Sequence, residues 1–85
     1  MLTPEITTKV ARTYADLTSD NGPPTFDLEF GSFLLALDLN GQGRFASWVW
    51  RMVSLARDAR GEGYAHGWLD RFAGPVLGMN SHGMS

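Results

Sequence analysis

The sequence predicts an all-α fold, a small bundle of three to four short helices, on three observations. Apolar residues recur at spacings of three and four along most of the chain, and clusters of glycine and proline separate the periodic stretches. The longest apolar run, Phe33-Leu34-Leu35-Ala36-Leu37, ends in strong helix formers without a β-branched residue.

The first element is the clearest. Thr3 can cap it, Pro4 suits the first helical position, and Ile6, Val10, Tyr14 and Leu17 form one stripe, so the spacing predicts a helix over residues 3–18. Glu5 and Lys9 lie one turn apart in the favourable order, and Ser19-Asp20-Asn21-Gly22-Pro23-Pro24 reads as a loop. Residues 25–39 admit two readings. Phe26, Phe30, Phe33, Leu34 and Leu37 fit a helical stripe, whereas Phe26, Leu28 and Phe30 also alternate, with Gly31-Ser32 as a hairpin turn. The helix is preferred; an α+β fold with a hairpin at residues 26–39 is the alternative. Asn40-Gly41 supplies the stop.

Residues 44–60 carry Phe45, Trp48, Val49, Met52, Val53, Leu55, Ala56 and Ala59 around more than half of a helical circumference. They predict a central helix packed on more than one side, with Trp50 and Arg57 at the border of the apolar arc. Gly61-Glu62-Gly63 reads as a break. Tyr64, Trp68 and Phe72 then give a short aromatic-faced helix that Gly74-Pro75 ends. Residues 1–77 are expected to form a single small helical domain and residues 78–85 a mobile tail.

Composition narrows the function classes. Eighty-five residues, 44% of them hydrophobic and none of them cysteine, make one small core without a staple. A disulfide scaffold, a cysteine-ligated zinc site and a thiol enzyme are excluded. No run approaches the roughly 20 apolar residues of a membrane span, and the start lacks the basic-then-apolar order of a secretory signal, so a cytoplasmic protein is expected. The net charge is −2 and unevenly spread. Residues 1–43 hold two basic and six acidic side chains, and residues 44–85 five and three, which predicts an acidic patch sooner than a basic one.

Asp38-Leu39-Asn40-Gly41-Gln42-Gly43-Arg44-Phe45 resembles the opening of an EF-hand calcium loop, with oxygen side chains at loop positions one, three and five and glycine at six. The likeness stops where the loop needs a bidentate glutamate at position twelve and this chain has Val49. An ordinary helix-ending turn is the expected structure, and no metal or cofactor is assigned. Glu62, His66 and Asp70 recur every four residues on the outward face of the last helix, a pattern suited to a metal or a tuned base and also to plain surface charge pairing, which is the expectation. Serines occur without a nucleophile elbow and the glycines without a phosphate-cradling pattern, so no enzyme is expected.

Nucleic-acid binding is the runner-up. Joining residues 26–39 to the next helix through a short turn gives a helix-turn-helix pattern, with Arg44, Ser47, Arg51 and Ser54 facing a groove. The apolar circumference of that helix and the net negative charge count against it. The preferred expectation is a non-catalytic protein-binding module, because three tryptophans, two tyrosines and five phenylalanines exceed what so short a chain readily encloses. Trp50 beside Arg57, and the face of Tyr64 and Trp68, are the candidate anchors. Asp16, Asp20, Asp27 and Glu29 are candidates for entering a partner's basic groove. The partner is another protein or a second copy in a homodimer. In size, charge and absence of evident chemistry, the chain is similar to the stoichiometric inhibitors encoded by phages and plasmids, including anti-CRISPR proteins.

Overall fold

A computed structural model describes residues 2–19 and 25–78. It contains four helices, α1 (Pro4–Thr18), α2 (Phe26–Leu39), α3 (Gly43–Arg60) and α4 (Glu62–Ala73), followed by a π-helical turn, Gly74–Gly78. No strand occurs among the described residues. The all-α bundle is therefore the fold, and the hairpin alternative falls, since Gly31 and Ser32 lie inside α2.

Local chemistry accounts for the helix starts. Thr3 caps α1, its hydroxyl accepting from the Ile6 amide at 3.2 Å, and Pro4 follows at a position whose missing N–H is no loss. Thr25 caps α2 in the same way through the Leu28 amide at 3.2 Å, with Asp27 and Glu29 in the positively polarised first turn. This second cap, absent from the reading of residues 25–39 as sequence, favours helix over hairpin.

The loops are short. Asn40, Gly41 and Gln42 join α2 to α3, with Gly41 at φ 81°. The expected break at residues 61–63 is narrower: Gly61 alone separates α3 from α4, and Glu62 and Gly63 already belong to α4. Gly61 sits at φ 88°, ψ 178°, a region open essentially to glycine only. Its amide donates to the Arg57 carbonyl at 2.7 Å and its own carbonyl accepts from Ala65 at 3.1 Å, so one residue closes one helix and opens the next.

The core corrects one expectation. The most enclosed helix is α2, which buries Phe26, Phe30, Ser32, Phe33, Ala36 and Leu37 and packs against α1, α3 and α4. The third helix lies against α2 and α4 but buries a narrow stripe of small side chains, Ala46, Val49, Val53 and Ala56, while Trp48, Trp50, Leu55 and Ala59 stay exposed. Size decides this: the stripe lets α3 approach closely, and the indoles are too large to enter it. Phe33, Leu37, Val10, Val49, Val53, Leu69 and Val76 are fully enclosed. Gly74-Pro75 ends α4 as expected, and Val76 reaches the core because the π-helical turn that follows packs against α1 and α4. Residues 79–85, most of the expected tail, lie outside the described residues. No helix among the described residues is long and apolar enough to cross a membrane.

Candidate functional site

The exposed aromatic surface gathers where the start of α3 meets the end of α4. Phe45 stacks beside Trp48 with ring centroids 6.2 Å apart, and Trp48 meets Phe72 edge-on at 5.2 Å. Phe72 also contacts Phe45 and Trp68, each at 6.2 Å. Such tilted and edge-to-face pairs are the favourable arrangements of aromatic quadrupoles. Trp48 nevertheless keeps 50% of its surface in solvent, and Leu55 and Tyr64 on the same two helices are exposed as well. The Arg71 guanidinium lies 5.0 Å from the Trp68 ring centre, and the Arg60 guanidinium 5.1 Å from that of Tyr64. These contacts hold two flat cations against two rings without removing either from water.

An apolar groove of about 460 Å³ continues this surface, lined chiefly by Leu2, Pro4, Phe45, Phe72, Pro75 and Val76. Its floor exists because Phe45 and Phe72 are shared with the aromatic cluster and because the π-helical turn brings Pro75 and Val76 beside the start of α1. The arrangement offers an apolar face with the Thr7 hydroxyl in its lining and Arg71 at its border.

The residues singled out from sequence are divided among several places. Tyr64 and Trp68 belong to the aromatic face, where they line a shallow depression with Arg71. Trp50 is on another side of α3, in an open groove with Leu34, Asp38, Ala46, Ser47 and Arg51. Arg57, two turns further along α3, meets Asp27 at 3.3 Å and lies 5.8 Å from the Phe26 ring centre. Asp16 is exposed on α1, while Asp20 lies outside the described residues. Asp27 and Glu29 point to partners within the domain: Asp27 to Arg57, and Glu29 to His66 Nε2 at 3.3 Å. Trp48 and Phe45 are the functional candidates that sequence reasoning missed. Both fell within the apolar arc of α3, and the signal available was their bulk in a helix whose other inward positions hold alanine and valine.

The predicted line of Glu62, His66 and Asp70 is formed only in part. Asp70 Oδ2 stands 3.4 Å from His66 Nδ1, but Glu29 of α2, not Glu62, takes the opposite ring nitrogen. Burial, and secondly the charge of Glu29, raise the Tyr14 phenol above its ordinary pKa near 10. In the stretch resembling a calcium loop, the Asn40 amide donates to Thr13 Oγ1 at 2.9 Å and to the Ala36 carbonyl at 2.8 Å, so this side chain braces the helix corner against α1.

On the helix-turn-helix face, Arg44, Ser47 and Arg51 are exposed, whereas Ser54 Oγ is enclosed. Comparison with protein-family models, curated proteins and solved structures found no match to the chain.

Proposed function

We propose that the protein is a non-catalytic protein-binding module that engages its partner through the α3–α4 aromatic face. The observation that carries this reading is Trp48: an indole half in solvent, held by Phe45 and Phe72 and adjoining an apolar groove, gives up little side-chain freedom when covered. Tryptophan, tyrosine and arginine are the side chains that most often carry interface energy, and Trp48, Trp68, Tyr64, Arg60 and Arg71 supply all three types on two adjacent helices. The partner is a second copy of the chain or another protein. Occlusion of a partner's surface is the mode of action, as in a regulator or stoichiometric inhibitor.

Light scattering behind size-exclusion chromatography separates self-association from a monomer awaiting a partner, and affinity capture then tests the latter. Trp48→Ala is expected to abolish the dimer or the captured complex, and Tyr64→Ala to weaken it, while Arg12→Ala on α1 leaves it intact. A monomer that captures nothing, or a complex indifferent to both aromatic substitutions, would sink the proposal.

A second reading draws on Arg44, Ser47 and Arg51, which the structure leaves exposed along the first half of α3 after a three-residue turn. This supports a helix-turn-helix-like contact with DNA or RNA. Duplex binding at low salt that Arg44→Ala and Arg51→Ala each weaken would favour this reading over the first.

A further inference from the structure

The unpaired charges around the aromatic face are predominantly of one sign. Arg44 and Arg51 stand one turn before and one turn after Trp48 on α3, and all three are exposed. Arg71 on α4 lies over the Trp68 ring and also borders the apolar groove, and Arg60, at the end of α3, lies over Tyr64. None of these arginines makes an ion pair among the described residues, whereas Arg57 is turned to Asp27. From residue 43 to 57 and from 63 to 78 the sole acidic side chain is Asp70, and it is turned to His66. Asp58 and Glu62, the other acids of these two helices, flank the corner at Gly61. Taking the aromatic face as the binding surface proposed above, we infer that its partner is an acidic amphipathic helix. The apolar stripe of that helix lies against Trp48 and the groove, and its carboxylates meet the unpaired arginines.

The surface suits a helix. Helices α3 and α4 are joined by Gly61 alone and run side by side, with Phe45 and Trp48 from the start of one meeting Phe72 from the end of the other. Apolar side chains repeating at i, i+3 and i+7 along a docked helix form one line that such a surface can take. Strand addition is not open to this face, because no strand, and so no sheet edge, occurs among the described residues. The Trp68 and Tyr64 rings restrict the Arg71 and Arg60 guanidiniums while leaving N–H groups for a carboxylate, so capturing one costs less side-chain freedom.

Other occupants fit less well. A two-fold contact with a second copy sets the same patch against itself, so the unpaired arginines of each copy would oppose one another. Single-stranded nucleic acid would use the same cations and stack its bases on open rings. Here Trp68 and Tyr64 already carry guanidiniums and Trp48 carries Phe45, and the adjoining groove, lined chiefly by Leu2, Pro4, Phe45, Phe72, Pro75 and Val76, suits apolar side chains better than phosphate.

The test measures binding of synthetic helical peptides to the full-length protein. Each peptide is 18 residues long, the length of α3, with leucine at the i, i+3 and i+7 repeat and glutamate, glutamine or lysine elsewhere. The glutamate peptide is expected to shift the indole resonances of Trp48 and Trp68. Anisotropy of the labelled peptides should show it binding about tenfold or more tightly than the glutamine peptide, with no binding by the lysine peptide. Its affinity should fall as salt rises. Arg60→Gln and Arg71→Gln should each weaken the glutamate peptide about three- to tenfold, and Trp48→Ala should abolish its binding, while Arg12→Gln on α1 changes nothing. Circular dichroism verifies that each variant is folded, and the peptide series itself needs no variant. Equal binding of all the peptides, lost with Trp48→Ala, would overturn the acidic partner and keep the protein-binding face. Unshifted Trp48 and Trp68 resonances at millimolar glutamate peptide would overturn the acidic partner as well. So would tighter binding of oligothymidylate or of phosphatidylserine vesicles, or a dimer in light scattering that Trp48→Ala dissociates.

Discussion

Two glycines of this chain have opposite meanings at the residue scale. Gly31 lies inside α2 with ordinary helical geometry, faces solvent, and has nothing within 4 Å of where a Cβ would stand. Glycine there carries only its helix penalty, so Gly31→Ala is expected to stabilise the protein by about 0.5–1 kcal/mol. Gly61 also has open space around it, but its φ of 88° with ψ of 178° penalises any side chain through the backbone itself. Gly61→Ala is expected to destabilise by about 1–3 kcal/mol. Urea denaturation followed by circular dichroism checks both, and midpoints moving in the same direction would refute the distinction. As letters in a sequence the two are alike: Gly31 resembled a hairpin turn as closely as Gly61 resembled a helix break.

Elements were legible to the degree that their signals were local. The cap, the proline and the apolar stripe of α1 all fall within its own span, and its predicted limits agree with Pro4–Thr18 within a residue. In α2 the alternation of Phe26, Leu28 and Phe30 imitated a strand. The decision rests on Thr25 and on a buried arc too wide for one sheet face. In α3, counting apolar residues overstated burial because the count ignores size, and Phe45 and Trp48, which swelled it, belong to the aromatic face shared with α4. Glu29 meets His66 across 37 residues, a pairing that no periodicity contains, whereas the i, i+4 neighbour Asp70 was visible from sequence. The corner between α2 and α3 gives a test at this scale. Asn40 donates both to Thr13 Oγ1 of α1 and to the Ala36 carbonyl, in a part-buried position. Asn40→Ala is expected to cost about 1–2 kcal/mol, and Asn40→Asp, similar in shape but without the donors, at least as much. Chemical denaturation measures both, and an unchanged midpoint for Asn40→Asp would show that the corner is held by its backbone alone.

Across the whole molecule, enclosure is uneven. The core is filled by phenylalanine, leucine, valine and alanine from all four helices and the π-helical turn, and Trp48, Trp68 and Tyr64 are left at the rim of α3 and α4. The Trp48 cluster lies on α3 and α4 and Tyr14 on α1, so binding and pH dependence can be read separately. Tyr14 provides the pH measure. Burial chiefly, and Glu29 in addition, raise its phenol above 10 in the folded state, while the unfolded chain keeps the ordinary value. Between those two values the folded protein holds a proton that the unfolded chain has lost, so stability falls as pH rises through the interval. The Tyr14 contribution is therefore intact below about pH 10 and declines above it. Tyr14→Phe keeps the ring and removes the ionisation. The stability difference between wild type and Tyr14→Phe, from urea denaturation at successive pH values, is expected to stay constant up to about pH 10 and then to turn against the wild type. Glu29→Gln should lower the Tyr14 titration midpoint without returning it to the ordinary value, because burial is the larger cause. A difference that stays flat through the whole alkaline range would mean that the phenol meets the same surroundings folded and unfolded, and that α1 does not enclose it.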